Sequence, residues 1–132
     1  MVALVSCIAQ QHNFPLLSVA VCVCVAGNSA AVFMLSRARQ CVRVHRNLWL
    51  IVAGFVLGGT IWATHFLAML AYNIPVSYQL FATGTSILVA VAISCLGAFA
   101  TVGMPRRRGA VTSGCFLGLA IGAMHTIGLS AI

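Results

Sequence analysis

Four long apolar runs, separated by short polar segments, make up most of this 132-residue chain. Each run is at least as long as the roughly 20 residues that a helix needs to cross the hydrocarbon core of a bilayer. The pattern predicts transmembrane helices over residues 14–36, 48–72, 80–104 and 109–132. The linkers RARQCVRVHRN, NIPVSYQ and PRRR leave no room for a soluble domain. We therefore predict an all-α integral membrane protein with a single membrane-embedded domain over residues 1–132.

The composition agrees with this class and narrows the chemistry. Hydrophobic residues make up 62% of the chain and charged residues 5%, whereas soluble domains have about 25% charged residues. There is no aspartate or glutamate, so paired-carboxylate acid/base catalysis and carboxylate metal cages have no residues to use. We expect no enzymatic activity in this chain.

All seven formal charges are arginines in two short clusters between apolar runs. Because arginine accumulates in cytoplasmic loops, we predict that both clusters are cytoplasmic and that the N-terminus is exterior. A nucleic-acid partner is disfavoured, since binding needs cations spread over a solvated face. The first cluster is Arg37, Arg39, Arg43 and Arg46, and the second is Arg106, Arg107 and Arg108.

The six cysteines are scattered, and most lie inside apolar runs. A disulfide framework would place them at regular spacing in exported loops, so we interpret them as free thiols. Cys22 and Cys24 are two residues apart on a predicted helix, and so point to different faces and are poor metal partners for each other.

An internal repeat relates the second and fourth helices. Aligning His65 with His125 superimposes IWATHFLAM on IGAMHTIGL, which indicates two parallel-repeat helix pairs over residues 37–72 and 97–132. Helical steps from each histidine reach glycines, and glycine spaced by four allows close helix packing in lipid. We therefore expect the glycine-and-histidine stripe of each of these two helices to pack against protein. The second-helix stripe is Gly54, Gly58, Trp62, His65 and Met69, and the fourth-helix stripe is Gly114, Gly118, Gly122, His125 and Leu129.

The two histidines are predicted to lie at one depth. His65 follows Arg46 by 19 residues and His125 follows Arg108 by 17, which places both about 25 to 29 Å from the arginines. Imidazole binds copper, zinc and haem iron, and thioether favours Cu(I). We predict a metal site, with copper as the metal, from His65, Met69, Met124 and His125. A b-type haem between the histidines and a ligand-free packing module remain alternatives.

Threonines near the histidines have a simpler interpretation. Thr60, Thr64 and Thr126 can return their hydroxyl hydrogen bonds to the preceding helical turn. Thr64 adjoins His65, so its hydroxyl could instead support the imidazole.

The segments GGTIWATHFLAMLAY and GLAIGAMHTIGLSAI, with QQHNFPLL near the start, resemble the MHYT domain. This bacterial inner-membrane sensory module is named for its repeated Met-His-Tyr-Thr motif. The resemblance implies motifs near the outer face, a bound metal such as copper, and sensing of a diatomic gas or of redox state. It also implies cytoplasmic signalling outputs such as diguanylate cyclase and cyclic di-GMP phosphodiesterase domains.

The chain departs from the family pattern at several positions. The first copy has Thr64 where the motif begins with methionine, and the second has Leu129 at the later methionine; the tyrosine position holds Phe66 and Thr126. The family typically carries a third motif on further helices. The chain therefore resembles part of a module: a truncated gene product, a fragment, or a stand-alone protein that completes its site by forming a homo-oligomer through the glycine stripes. As partners we expect the lipid bilayer and either a second copy of the chain or a separate cytoplasmic signalling output.

Overall fold

The computed structural model describes residues 13–71 and 80–129, and these ranges contain four α-helices. The prediction of four membrane-spanning helices is confirmed, because each helix is long and apolar enough to cross a membrane. Parts of the predicted repeat units, residues 72 and 130–132, lie outside the described residues. In chain order the helices are α1 Phe14–Gln40, α2 Arg43–Leu70, α3 Leu80–Val102 and α4 Arg106–Leu129.

The arginines lie within the helices rather than in long loops. Arg37 and Arg39 occupy the last turn of α1, where cations interact favourably with the carbonyl end of a helix. Only Cys41 and Val42 separate α1 from α2. The predicted eleven-residue linker is therefore mostly helical and contains a two-residue break, since its sequence has no glycine or proline that would disfavour helix.

Proline marks the start of two helices, as its missing N–H and fixed φ favour. Pro15 lies in the first turn of α1, and Pro105 directly precedes α4. The backbone N–H of Asn13 donates to the carbonyl of Ala71 at 2.7 Å, which joins the start of α1 to the end of α2. These two helices are therefore antiparallel neighbours.

The helices form a sequential array, in which α1 packs along α2, α2 along α3 and α3 along α4. Between α1 and α3, and between α2 and α4, contact is limited to a few positions. At the arginine end, Arg39 Nη2 donates to the Thr101 carbonyl of α3 at 3.3 Å. The described parts of α1 and α4 share no interface comparable to the sequential ones, so a groove runs between them.

Small residues create the close contact between α2 and α3. A Cβ added at Gly54 would lie 2.7 Å from Cys95 Cα, and one at Gly58 would lie 2.7 Å from the Val91 nitrogen. Real carbon atoms do not approach this closely, so only glycine allows the backbones to meet. The prediction that the α2 glycine stripe packs against protein is confirmed, as expected where packing holds helices together in lipid.

The corresponding prediction for α4 is wrong in the described structure. A Cβ added at Gly114, Gly118 or Gly122 would meet nothing within 4 Å, and His125 is exposed. The reason is that α4 packs on α3 through another face, where Phe116 contacts Gly97 and Gly109 meets Thr101. The α4 stripe points away from that contact.

Candidate metal centre

The structure brings His65 of α2 and His125 of α4 into direct contact. Their ring centroids are 5.2 Å apart, and the ring planes meet at 85°. Both helices begin at the arginine end and run in the same direction, so equal spacing from the arginines places the two histidines at one level. The proximity predicted from the repeat is therefore present, although α2 and α4 are not sequential neighbours.

A cavity of about 250 Å³ lies beside this pair. It opens between α1, α2 and α4, and its wall combines apolar side chains with a thiol, an amide, two hydroxyls, an imidazole and a thioether. These are the groups from which a small polar or metal site can be built. The lining residues are Cys24, Asn28, Thr60, Ile61, Thr64, His65, Ile121 and Met124.

The two predicted methionine ligands have different positions. Met124 is 1% exposed and lines the cavity with His65. Met69 is half-buried in the last turn of α2 and is not among the residues that line the cavity. The structure therefore places Met124 on the cavity wall with His65, whereas His125 contacts the His65 ring but is itself exposed and is not among the residues that line the cavity. The participation of Met69 stays a prediction.

The threonines separate into two groups. Thr60 donates to the Val56 carbonyl at 2.6 Å, and Thr126 donates to the Ala123 carbonyl at 2.9 Å, as predicted for threonine in helices. The Thr64 hydroxyl oxygen is instead buried without a hydrogen-bond partner in the described structure. Because Thr64 lines the cavity next to His65, its hydroxyl is available to a ligand or to an imidazole that moves on binding.

The sequence interpretation missed the contribution of α1. Cys24 lines the cavity, and Asn28 Nδ2 donates to the Cys24 carbonyl at 2.8 Å and to its Sγ at 3.4 Å. One signal was present: an asparagine inside an apolar helix needs a partner, and the residue four positions earlier lies on the same face. Following that face from Asn28 leads to Cys24 and away from Cys22, which is exposed.

Aromatic side chains fix the orientation of α2 near the site. The rings of His65 and Phe66 meet edge-to-face at 5.7 Å, and Trp62 lies 4.6 Å from Phe66. Trp62 Nε1 donates to the buried Ser86 hydroxyl of α3 at 3.2 Å. This bond gives the half-buried indole N–H a partner and holds α2 against α3 close to the cavity wall that His65 helps to form.

The donor set fits a soft monovalent metal ion better than a hard divalent one. In the described residues no three histidine, cysteine or acidic side chains lie together as a metal cluster, so a full set of ligands requires the thioether of Met124. Imidazole with thioether suits Cu(I). The 5.2 Å between the two ring centroids is short enough for nitrogens of both rings to reach one ion after a modest reorientation of the side chains.

Four helices in the described ranges that can cross a membrane, with a largely apolar, open cavity between three of them, define a multi-pass helical membrane module. Residues 58–114 match the MHYT family, described as a bacterial signalling protein N-terminal repeat. The chain belongs to this family, which confirms the resemblance seen in the sequence. The matched segment contains His65 and ends before His125.

Several curated relatives are signalling proteins. An uncharacterized signaling protein of Caulobacter vibrioides is 35% identical over 97% of this chain. The cyclic di-GMP phosphodiesterase NbdA of Pseudomonas aeruginosa is 41% identical over 83% of the chain, and the bifunctional diguanylate cyclase/cyclic di-GMP phosphodiesterase MucR of the same species is 30% identical over 92%.

The chain spans only a small part of these relatives, covering 16%, 14% and 18% of their respective lengths. The similarity therefore concerns a membrane module within much longer signalling proteins. No solved structure matches the chain.

Proposed function

We propose that this chain is a membrane sensor module that binds copper between α2 and α4 and reports its ligand or redox state to a cytoplasmic signalling output. The observation that carries the proposal is the contact between His65 and His125, whose rings lie 5.2 Å apart. Packing alone gives no reason for two imidazoles on different helices to meet inside a membrane, where polar side chains are rare and usually functional.

Within this site, His65 and His125 are the nitrogen ligands and Met124 is the thioether ligand. Bound copper would supply a centre that takes a diatomic gas or changes oxidation state. The chain itself contributes a pocket of about 250 Å³, and Ile61 and Ile121 are part of its apolar wall. Small uncharged molecules such as gases cross lipid readily, so a site open towards the bilayer suits such a signal.

The arginine ends of α2 and α4 are the route to the output. We place these ends in the cytoplasm and the N-terminus outside the bacterial inner membrane, as the arginine distribution predicts. Each histidine is joined to an arginine cluster by one continuous helix. A change in the distance between His65 and His125 would therefore move the cytoplasmic ends, provided that the metal binds one helix arrangement better than another.

The relatives support a signalling role for such a module. Two of them are named for turnover of cyclic di-GMP, and this chain matches 14% and 18% of their lengths. We infer that enzymatic activity belongs to other parts of those proteins and that this chain supplies the membrane sensor. It would act on a cytoplasmic partner of that class.

Haem is less well supported than copper. The two rings contact each other edge-to-face, which leaves no space between them for a porphyrin held by axial ligands on both sides. Haem binding would require α2 and α4 to separate. The experiment below therefore tests for haem as well as for copper.

The experiment is metal and haem analysis of detergent-purified protein, comparing wild type with a His65→Ala/His125→Ala variant. His45→Ala is the matched control, because His45 is an exposed residue in the first turn of α2. Copper bound by wild type and by the control, and lost in the double variant, supports the proposal. A Soret absorption band would support haem binding. If the protein binds neither metal nor haem after copper is supplied, the chain is a packing module without a ligand.

A further inference from the structure

One groove connects the candidate metal centre with the arginine end of the molecule. A larger cavity, of about 670 Å³, lies between the C-terminal half of α1 and the N-terminal half of α4. The α1 residues that line it continue the same helical face that carries Asn28 and Cys24 in the smaller cavity. The two cavities are therefore successive parts of the gap between α1 and α4.

The groove is amphipathic along its length. Its arginine end is bordered by Arg39 and Arg106, while Val32, Leu35 and Leu117 form apolar walls further along. Arg39 Nη2 is held by the Thr101 carbonyl at 3.3 Å, which directs the guanidinium across the end of the groove. A molecule that fits this groove has a charged head at the arginine end and an apolar tail along the apolar residues.

The charge at the arginine end favours an anion. Arg106 is the first residue of α4, and the first turn of this helix contains no acidic residue. The N–H groups of a helix start are directed at whatever lies beyond it and favour negative charge. The whole chain has no aspartate or glutamate, so no side chain of its own can pair with Arg39 and Arg106.

We propose that an anionic phospholipid occupies this groove, with its phosphate between Arg39 and Arg106 and one acyl chain along the face of α1. Basic pockets between transmembrane helices bind anionic headgroups in this way. One leaflet is half of the roughly 30 Å hydrocarbon core, and Asn28 lies eleven residues, about 16 Å, from Arg39. The acyl chain therefore ends at the edge of the smaller cavity and closes it from the arginine side.

Lipid binding is tested by charge-matched double variants. Arg39→Gln/Arg106→Gln removes both groove arginines, and Arg107→Gln/Arg108→Gln removes two arginines that border a separate cleft with Met104 and Val111. Retention of phosphatidylglycerol is measured by native mass spectrometry of protein taken from mixed phosphatidylglycerol and phosphatidylcholine bilayers. We expect about thirtyfold weaker retention in the first variant, at roughly fivefold per arginine, and wild-type retention in the second.

A steric pair tests the groove without changing charge. Ser113 lines the larger cavity, so Ser113→Trp should fill it and reduce lipid retention. Val111 is 66% exposed elsewhere on α4, and Val111→Trp should retain the lipid as wild type does. For every variant, the unfolding temperature is measured in phosphatidylglycerol, in phosphatidylcholine, and in phosphatidylcholine with added inorganic phosphate. The differences show how much the lipid or free phosphate stabilises the protein.

Four results would overturn the proposal. Equal loss of lipid in both arginine variants would indicate a general surface-charge effect. Stabilisation by inorganic phosphate alone would indicate an anion site without a lipid. If Ser113→Trp retains as much lipid as wild type, the lipid binds elsewhere. If the protein forms a dimer that excludes lipid from the groove, a second copy of the chain is the occupant.

Discussion

The imidazole of His65 meets that of His125 edge-to-face, with 5.2 Å between ring centroids and 85° between ring planes. The two side chains come from helices that are not sequential neighbours and that have few other contacts. Their contact therefore contributes to the small interface between α2 and α4. A ligand held by both rings would bias the distance between these helices directly.

Metal binding by the histidine pair should be strongly non-additive. If both rings hold one ion, His65→Ala and His125→Ala should each weaken copper binding by about 100-fold, and the double variant should lose little more than either single variant. Competition against a colorimetric Cu(I) chelator measures these affinities. Two independent losses that simply add would mean that the histidines do not share a metal, whereas His45→Ala should bind as wild type does.

Cys24 should take part in copper binding, although its neighbour Cys22 should not. Cys24 lines the cavity and its sulfur accepts a hydrogen bond from Asn28 at 3.4 Å, whereas Cys22 is exposed. Because the chain has no carboxylates, Cys24 is the cavity-lining side chain that would supply an anionic ligand to Cu(I) if the metal displaces its thiol proton.

We expect Cys24→Ser to weaken Cu(I) binding at least about tenfold, an effect in the range seen for residues that support a metal. Cys22→Ser is the matched control on the same helix. X-ray absorption of the copper-loaded proteins counts the sulfur ligands and should show one fewer in Cys24→Ser. Unchanged affinity and sulfur count in that variant would leave the histidines and Met124 as the ligands and exclude Cys24.

The unpartnered hydroxyl of Thr64 predicts a stabilising substitution. Among the residues that the structure describes, its oxygen is buried without a hydrogen-bond partner, and an unsatisfied buried polar group costs about 1 to 3 kcal/mol. Thr64→Val keeps the side-chain shape and should raise the unfolding temperature of the metal-free protein. Because the hydroxyl is then unavailable to the site, the further increase on adding copper should become smaller.

Thr60→Val is the control for that substitution. The Thr60 hydroxyl donates to the Val56 carbonyl at 2.6 Å, so its removal should leave the unfolding temperature unchanged or slightly lower it. Thermal unfolding in one detergent, with and without copper, compares the variants. If Thr64→Val instead lowers the stability of the metal-free protein, the Thr64 hydroxyl forms a hydrogen bond in solution and the prediction is wrong.

The sequence predicted the helices well because hydrophobic length is a property of each segment alone. It predicted the meeting of His65 and His125 because two helices that start at the arginine level and rise at the same rate reach equal depth together. It did not predict which face of α4 is buried, since Gly118 and Gly58 occupy equivalent places in the repeat. That choice depends on the neighbouring helix: α3 packs beside the α2 glycines but contacts α4 through Phe116.

This asymmetry predicts opposite outcomes for equivalent glycines. A Cβ at Gly58 would lie 2.7 Å from the Val91 nitrogen and 2.9 Å from the Ala90 carbonyl carbon, and backbone atoms cannot move aside without separating α2 from α3. Gly58→Ala should destabilise the protein by about 1 to 3 kcal/mol, the usual range for an overpacked core. A Cβ at Gly118 would meet nothing within 4 Å in the described ranges, so Gly118→Ala should be neutral, or stabilising by up to about 1 kcal/mol through helix propensity.

Both glycine variants are compared by thermal unfolding in the same detergent, with light scattering to record the oligomeric state. Equal stability of Gly58→Ala and wild type would mean that α2 and α3 do not pack as closely as the structure has them. If Gly118→Ala instead destabilises the protein and also reduces its mass in solution, a second chain packs on the α4 stripe. Loss of stability at constant mass would place another part of the same chain on that stripe, because α3 does not reach it.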